Sequence, residues 1–204
     1  MEHVVLSHMA EHLSKNNIII DEQHGFRQRF SCETQLITTI HDWAKSTNVC
    51  RQTNAILLDF SKAFDSVPHQ RLLLKLDYYG IRGNLLLWIK AFLSNRSLFV
   101  SINGTQSSPK PVLSGVPQGS ILGPVLFLLY INDITNCINA KLRLFADDCI
   151  LYSEIQSSQD CLSLQNDLDQ LSSWSKSWQL NFNVKKCYHL GITCKSSQPC
   201  FNTL

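Results

Sequence analysis

Three aspartates stand beside strongly apolar runs. Asp59 follows the run AILL at residues 55–58, and Asp147 and Asp148 lie between LF at 144–145 and CIL at 149–151. A carboxylate at the end of a buried strand is costly unless an opposite charge neutralises it. Mg²⁺ prefers oxygen ligands and commonly shares one or two carboxylates with substrate phosphates. The acids therefore indicate a divalent-metal site, although a solvated turn is the usual role of an isolated Asp-Asp pair.

The elements that must position these acids are short strands. Residues 55–60 (AILLDF) are a short apolar run with an acid near its end, which predicts a buried strand. The apolar runs at 142–145 and 149–152 predict a hairpin with Asp147 and Asp148 at its tip. The run at 98–102, Asn103-Gly104 and a strand ending near Leu113 predict a second hairpin, and a last strand is expected within 186–193.

Helices account for most of the remaining chain. Apolar spacing predicts helices at 4–13, 33–43, 72–79, 84–93, 119–134 and 162–174. In the second helix we expect Leu36, Ile37 and Ile40 to face the core. In the last helix the predicted apolar face is formed by Leu162, Leu164, Leu168, Leu171 and Trp174. The sequence thus predicts an α+β fold with acids at its strand ends.

Composition indicates a globular protein but does not indicate its partner. Hydrophobic residues make up 44% of the 204 residues, and 18 Lys and Arg against 16 Asp and Glu give a net charge of only +2. Nucleic-acid binding then requires locally clustered charge or charge from other parts of the polypeptide. The eight cysteines include no C-x-x-C pair, which favours reduced thiols in a cytosolic or nuclear protein. The longest apolar run, 121–131, is too short to span a membrane.

Five segments resemble the motifs of reverse transcriptases from non-LTR (LINE-type) retrotransposons, in the order found in that family. They are QHGFR at 23–27, LLDFSKAFDSVPH at 57–69, SGVPQGSILGP at 114–124 continuing to YINDI at 130–134, FADD at 145–148, and WQLNFN at 178–183 followed by KKC at 185–187. The resemblance covers nearly the whole chain. On these motifs the chain is identified as a member of that family.

The resemblance implies a polymerase palm: an α+β fold whose antiparallel sheet (an RRM-like core) is backed by helices, with a remnant of the fingers and no thumb. It implies two-metal nucleotidyl transfer by an RNA-directed DNA polymerase. Asp59 and Asp147 would bind two Mg²⁺ ions, for which Mn²⁺ can substitute. Asp148 would assist them or bind metal weakly, and Phe60 would add a backbone carbonyl ligand. The implied partners are an RNA template, a DNA primer and deoxynucleoside triphosphates, with no membrane.

Further site residues follow from the same motifs. Phe64, five residues after Asp59, matches the ring that excludes a ribonucleotide's 2′-hydroxyl, and a plain core phenylalanine is the alternative. Gln118 would contact the incoming nucleotide or the template. The alternative is a plain connection with Ser120 near the next helix start, and the two interpretations are compatible. Asp65 would either orient its motif or cap the following turn.

Three basic residues have two readings each. Lys186 matches the lysine of the fourth motif, which protonates the leaving pyrophosphate or contacts phosphate. Neighbouring Lys185 leaves that register uncertain by one residue, and a solvated lysine is the alternative. Arg27 and Arg29 would contact template phosphates or be merely solvated.

The expected organisation is a helical segment connecting fingers and palm at 1–50, a palm at 51–193, and a short tail at 194–204 that can be disordered. The family's other fingers motifs, its thumb and an endonuclease are not found in this sequence, so we expect them in the rest of a parent polypeptide. Two function classes stay open. One is the catalytic palm of a polymerase, and the other is a non-catalytic remnant or weak nucleic-acid-binding module from a decayed element.

Overall fold

The computed structural model describes residues 1–194, which form two compact units. Met1–Ile19 and Lys62–Asn132 make up the first, which we call the helical unit. Ile20–Ser61 and the chain from Asp133 onward make up the second, which we call the sheet unit. The tail expected at 194–204 lies, apart from Cys194, outside the described residues.

The described elements are these. The helices are α1 (Glu2–Lys15), α2 (Cys32–Asn48), α3 (Ala63–Ser66), α4 (His69–Tyr78), α5 (Gly83–Leu93), α6 (Gly123–Ile131) and α7 (Ser158–Trp178). The strands are β1 (Gln52–Leu58), β2 (Arg96–Leu98), β3 (Ser101–Ile102), β4 (Thr105–Gln106), β5 (Lys110–Val112), β6 (Lys141–Phe145), β7 (Asp148–Ile155) and β8 (Tyr188–Ile192). Short 3₁₀ turns occupy Ile134–Cys137 and Val184–Lys186.

The sheet unit is built on one four-stranded sheet in the order β6-β7-β1-β8, and all three strand pairs are antiparallel. Counted along the chain, the four strands of this sheet are β1, β6, β7 and β8. The second of them, β6, therefore lies at one edge and the fourth, β8, at the other, with the first and third between them. This is the strand order of a split β-α-β fold. The predicted α+β fold class, with an antiparallel sheet backed by helices, is confirmed.

β1 is flanked by strands on both sides, and all its residues except Leu57 are buried. Its central place explains the nearly continuous apolar run that predicted it. The strand begins three residues before the predicted start at Ala55, because Gln52, Thr53 and Asn54 are also buried. Buried polar residues of this kind leave no apolar signal in the sequence.

Helix α2 packs on the sheet through a polar stripe, contrary to prediction. Gln35, Thr39 and Ser46 are buried, and Asp42 bonds to Tyr152 of β7. The expected core residues Leu36, Ile37 and Ile40 are instead 47% to 68% exposed. On this inner side, Lys141 and Arg143 of β6 hold the Asp42 carboxylate at 3.0 and 3.3 Å, so the helix turns its charged side to the sheet and its apolar side away from it.

Helix α7 begins with a capping box. The Ser157 side chain accepts a hydrogen bond from the backbone amide of Asp160, and the Asp160 side chain accepts one from the backbone amide of Ser157. The predicted face is buried at Leu164, Leu168, Leu171 and Trp174, whereas Leu162 is exposed. Leu162 precedes Leu164 by two positions, which at 3.6 residues per turn places it on the opposite side of the helix.

In the helical unit, the predicted hairpin is confirmed as two short ladders, β2 with β5 and β3 with β4. Asn103 and Gly104 form its turn with φ of 51° and 79°, the left-handed geometry that favours Asn-Gly. α6 begins at Gly123, four residues after the predicted start at Gly119. Pro124 explains the late start, because proline is favoured in the first turn and removes a helix donor elsewhere.

Among residues 1–194, none of the seven cysteines forms a disulfide, as the spacing predicts. Within the same part of the chain, no helix combines the length and the apolar character needed to cross a bilayer.

Candidate catalytic site

The three predicted acids lie at one end of the sheet. β1 ends at Leu58, which pairs with Cys149 of β7, so the next register step sets Asp59 opposite Asp148. Opposed residues in antiparallel strands have Cα atoms about 4.5–5.5 Å apart. Asp147 belongs to the two-residue loop between the paired residues Phe145 and Asp148. The sheet thus brings all three acidic residues to one of its ends.

The surroundings of Asp147 and Asp148 raise the pKa of both carboxyls. Burial raises the pKa of Asp147, and the negative charges of Asp148 and Asp59 raise it further against the opposing effect of Lys186. Partial burial and the charge of Asp59 likewise raise the pKa of Asp148. A raised carboxyl pKa means that the ionised form is disfavoured in the folded protein. A cation bound among the acids would remove that penalty.

Lys186 is the basic residue that the structure brings to the acids. Its Nζ lies 3.5 Å from Oδ2 of Asp59. This buried Oδ2 has no hydrogen-bond partner among the described residues. Two backbone bonds fasten the segment that carries Lys186 to the end of β1: Asn183 N donates to Asp59 O at 2.7 Å, and Ser61 N donates to Asn181 O at 2.8 Å. The predicted register at Lys186 therefore fits this geometry.

Phe60 is buried and fixes the backbone just beyond Asp59. Its ring stacks on Phe182 with centroids 4.5 Å apart and an interplanar angle of 17°. It also meets Trp174 of α7 at 6.4 Å. These ring contacts hold the Asp59–Phe60 backbone in a fixed direction, as a carbonyl ligand at Phe60 requires.

The donors fit a hard divalent cation that brings other ligands with it. Among the residues the structure describes, no three His, Cys, Asp or Glu side chains converge into a complete metal site. Mg²⁺ does not require one, because it keeps several waters and shares one or two carboxylates with substrate phosphates. The Oδ2 of Asp59, which accepts no hydrogen bond from a described residue, and the raised pKa of Asp147 are what such an ion would relieve.

Phe64 and Gln118 belong to the helical unit. The partly buried ring of Phe64 stacks on Phe127 of α6 with centroids 4.4 Å apart. Gln118 is exposed, and its Nε2 donates to Oδ1 of Asp65 at 2.8 Å. Asp65 thus accepts a bond from the loop that carries Gln118, whereas its two predicted roles, orienting its own motif or capping the following turn, stay predictions. Ser120 bonds the Gly123 amide at the start of α6, as the plain-connection alternative for this segment predicted.

The loop at 114–118 is fastened to the segment after Asp59. Val116 N donates to Phe64 O at 2.7 Å, and Gly115 N donates to Val67 O at 2.8 Å. Gly115 has a φ of 90°, and a Cβ there would lie 2.6 Å from the Asp65 carbonyl oxygen. Only glycine permits such a close approach of the two backbone segments.

Arg27 and Arg29 differ in their surroundings. Arg27 donates to the carbonyls of Ile20 and Gln23 at 2.7 and 3.1 Å, and its guanidinium lies over the Phe30 ring. It therefore stabilises its own loop and is not merely solvated. Arg29 is exposed, with a φ of 68°. A contact between either arginine and template phosphate stays a prediction.

One residue with a clear place in this site was missed from the sequence. The side chain of Gln23 bonds the backbone of Ala146, immediately before Asp147. The only available signal was its position at the start of the QHGFR motif, which drew attention to arginine rather than glutamine.

Comparison with known proteins assigns the family. The family model described as reverse transcriptase (RNA-dependent DNA polymerase) matches residues 1–198. The chain belongs to this reverse transcriptase family. Among its relatives are the RNA-directed DNA polymerase from mobile element jockey of Drosophila melanogaster, 30% identical over 92% of this chain, and the probable RNA-directed DNA polymerase from transposon BS of the same species, 29% identical over 97%.

This reverse transcriptase chain spans only 21% and 23% of the lengths of those two relatives. Solved structures agree on the fold. The apo telomerase of Candida tropicalis covers 93% of the chain with a TM-score of 0.68 at 11% identity, and the chain covers 37% of that structure. At this identity the likeness concerns the fold alone. The resemblance to non-LTR retrotransposon reverse transcriptases is confirmed.

Proposed function

We propose that this chain contains the catalytic palm, residues 51–193, of an RNA-directed DNA polymerase that copies a non-LTR retrotransposon. The observation that carries the proposal is the meeting of Asp59, Asp147 and Asp148 at one end of the sheet, with raised pKa values for Asp147 and Asp148. Neighbouring carboxylates that repel one another are typical of a functional site in which a bound cation offsets their negative charge.

In the proposed reaction the acids bind the divalent cations, and the lysine transfers a proton. Asp59 and Asp147 would hold two divalent cations, Mg²⁺ or Mn²⁺, with Asp148 assisting and the Phe60 carbonyl as a further ligand. When bound, such cations activate the attacking hydroxyl and offset charge on the leaving group. Lys186 would release its contact with Asp59 and deliver a proton from Nζ to the leaving pyrophosphate, or contact its phosphates.

The substrates follow from the same assignment. The primer 3′-hydroxyl would attack the α-phosphorus of a deoxynucleoside triphosphate opposite an RNA template. Phe64 would pack beneath the incoming sugar and leave no room for a 2′-hydroxyl. Gln118, held by Asp65, would meet the nucleotide or the template, and Arg29 would contact template phosphate.

Positioning from outside this chain is part of the proposal. In-line transfer depends on holding the reacting groups together, which can contribute about 7–11 kcal/mol in favourable cases. We propose that fingers, thumb and endonuclease regions of a parent polypeptide supply that positioning. The 204 residues alone should then extend a primer poorly, and a net charge of +2 predicts weak, salt-sensitive binding to nucleic acid.

Mn²⁺ binding to the chain tests the site without requiring activity. Electron paramagnetic resonance counts free Mn²⁺ during a titration. The proposal predicts saturable binding that weakens strongly in Asp59→Asn and Asp147→Asn. Asp169→Asn, an exposed acid on α7, is the matched control and should bind like the unchanged chain. Equal binding by all four proteins would show that these acids do not hold the cation.

A further inference from the structure

The segment before α2 extends the sheet beside the catalytic hairpin. Gln23 forms a parallel bridge with Leu144 at the otherwise open edge of β6. Its neighbours complete the pairing: His24 N donates to Leu144 O, and Leu144 N donates to Glu22 O, both at 2.9 Å. This pairing delivers the Gln23 side chain to the loop at the hairpin tip.

The amide of Gln23 contacts both polar backbone groups of Ala146. Its Nε2 donates to Ala146 O at 3.1 Å, and its Oε1 accepts from Ala146 N at 2.9 Å. Oε1 also accepts from Gly25 N at 2.7 Å. The side chain is only 2% exposed, so water does not compete for these bonds. One buried side-chain amide thus provides hydrogen-bond partners for the N–H and C=O of Ala146, which the β6–β7 hairpin does not pair.

Ala146 needs such support because of its conformation. Its φ is 55°, in the left-handed region, which is unfavourable for a residue with a Cβ. Gly25 permits the close approach, since a Cβ there would lie 2.2 Å from Ala146 N. The direction in which the chain leaves Ala146 sets where Asp147 and Asp148 point.

We propose that Gln23 is a positioning residue, which locks Ala146 in its left-handed conformation and so aims the Asp147 and Asp148 carboxylates at a common cation. The aiming rests on the function proposed above, whereas the locking does not. A merely structural Gln23 would contribute to stability without affecting the affinity for the cation. Outer-shell partners of metal ligands typically change metal affinity by about 10–100-fold when they are removed.

The test uses two variants and one control. Gln23→Met keeps the shape and removes all three bonds. Gln23→Glu can still accept from Ala146 N and Gly25 N, but in place of the donated bond it sets a carboxylate oxygen against Ala146 O. Gln52→Leu is the matched control, because Gln52 is also buried in the sheet unit but lies at the far end of β1, where it bonds Asn54. Two quantities are measured: hydrogen exchange of the Ala146 amide without metal, and Mn²⁺ affinity by paramagnetic resonance.

Gln23→Met should speed exchange of the Ala146 amide about tenfold, the equivalent of one lost hydrogen bond. It should weaken Mn²⁺ binding by about tenfold or more, with a melting temperature close to that of Gln52→Leu. Gln23→Glu should retain slow exchange. Unchanged exchange in Gln23→Met would overturn the locking, and changed exchange with unchanged Mn²⁺ affinity would overturn the aiming. If the unchanged chain binds no Mn²⁺, the proposed metal site fails, while the exchange result still decides the locking.

Discussion

The Asp42 cluster offers a quantitative test of how α2 is held on the sheet. The Asp42 carboxylate, 17% exposed, accepts from Tyr152 OH at 2.6 Å and pairs with Lys141 and Arg143 at 3.0 and 3.3 Å. Asp42→Asn keeps the shape but removes the charge. Lys141 is 57% exposed and its pair contributes little, whereas Arg143 is 19% exposed and would be left partly buried without its partner. We therefore expect a loss of about 2–3 kcal/mol in the free energy of unfolding.

The effect of Asp42 should depend on pH in a defined direction. Burial would raise the pKa of Asp42, but the hydrogen bond from Tyr152 and the bond and charge of Lys141 outweigh it and lower the pKa. A lowered carboxyl pKa stabilises the fold above the unfolded value, about 3.9, and that contribution disappears as pH falls through the folded value. The difference between Asp42→Asn and the unchanged chain should be full at pH 7 and shrink below pH 4.

Urea unfolding followed by circular dichroism measures this difference. Asp169→Asn, on the exposed side of α7, is the control and should change stability by about 0.5 kcal/mol or less. If Asp42→Asn loses no more than the control at pH 7, electrostatic attraction does not explain why α2 presents a polar stripe to the sheet.

Three further predictions concern single side chains. Phe64→Val should raise the incorporation of ribonucleotides relative to deoxynucleotides in single-nucleotide kinetics. If sugar selectivity is unchanged and the melting temperature falls, Phe64 is instead a core residue that stacks on Phe127. Asp148→Asn should raise the melting temperature of the metal-free chain at pH 7, because the raised pKa makes ionised Asp148 destabilising above its unfolded value, and the gain should vanish near pH 3. Ile37→Ser should change the unfolding free energy by about 0.5 kcal/mol or less, whereas Leu164→Ala should cost about 2–5 kcal/mol, as urea titrations can show.

The sequence was most informative where apolar runs end in acids. Asp59, Asp147 and Asp148 were placed correctly at strand ends because a buried strand makes a neighbouring carboxylate conspicuous. Lys186 was predicted as a site residue from its motif register, and its Nζ lies 3.5 Å from Oδ2 of Asp59, while its role stays a prediction. Local pattern and tertiary arrangement agree at these positions.

The failures share one cause, which is that the decisive contact is distant in sequence. The predicted inner face of α2 is wrong because its leucine and isoleucines have the spacing of core residues. The Asp42 carboxylate on the actual inner face pairs with Arg143, about a hundred residues away. Gln23 was overlooked because its partner, Ala146, lies 123 residues on. Hydrophobic periodicity describes one helix or strand at a time, so it does not predict which polar side chain will contact a distant part of the chain.

The central claim is that Asp59 and Asp147 carry out metal-dependent DNA synthesis on RNA. Primer extension on an RNA template, by a polypeptide that joins this chain to fingers and thumb segments of its relatives, tests it most directly. We expect extension that requires Mg²⁺ or Mn²⁺ and falls on the order of a thousandfold in Asp59→Asn and in Asp147→Asn, with Asp169→Asn unaffected. Near-normal extension by either of the first two variants would contradict it.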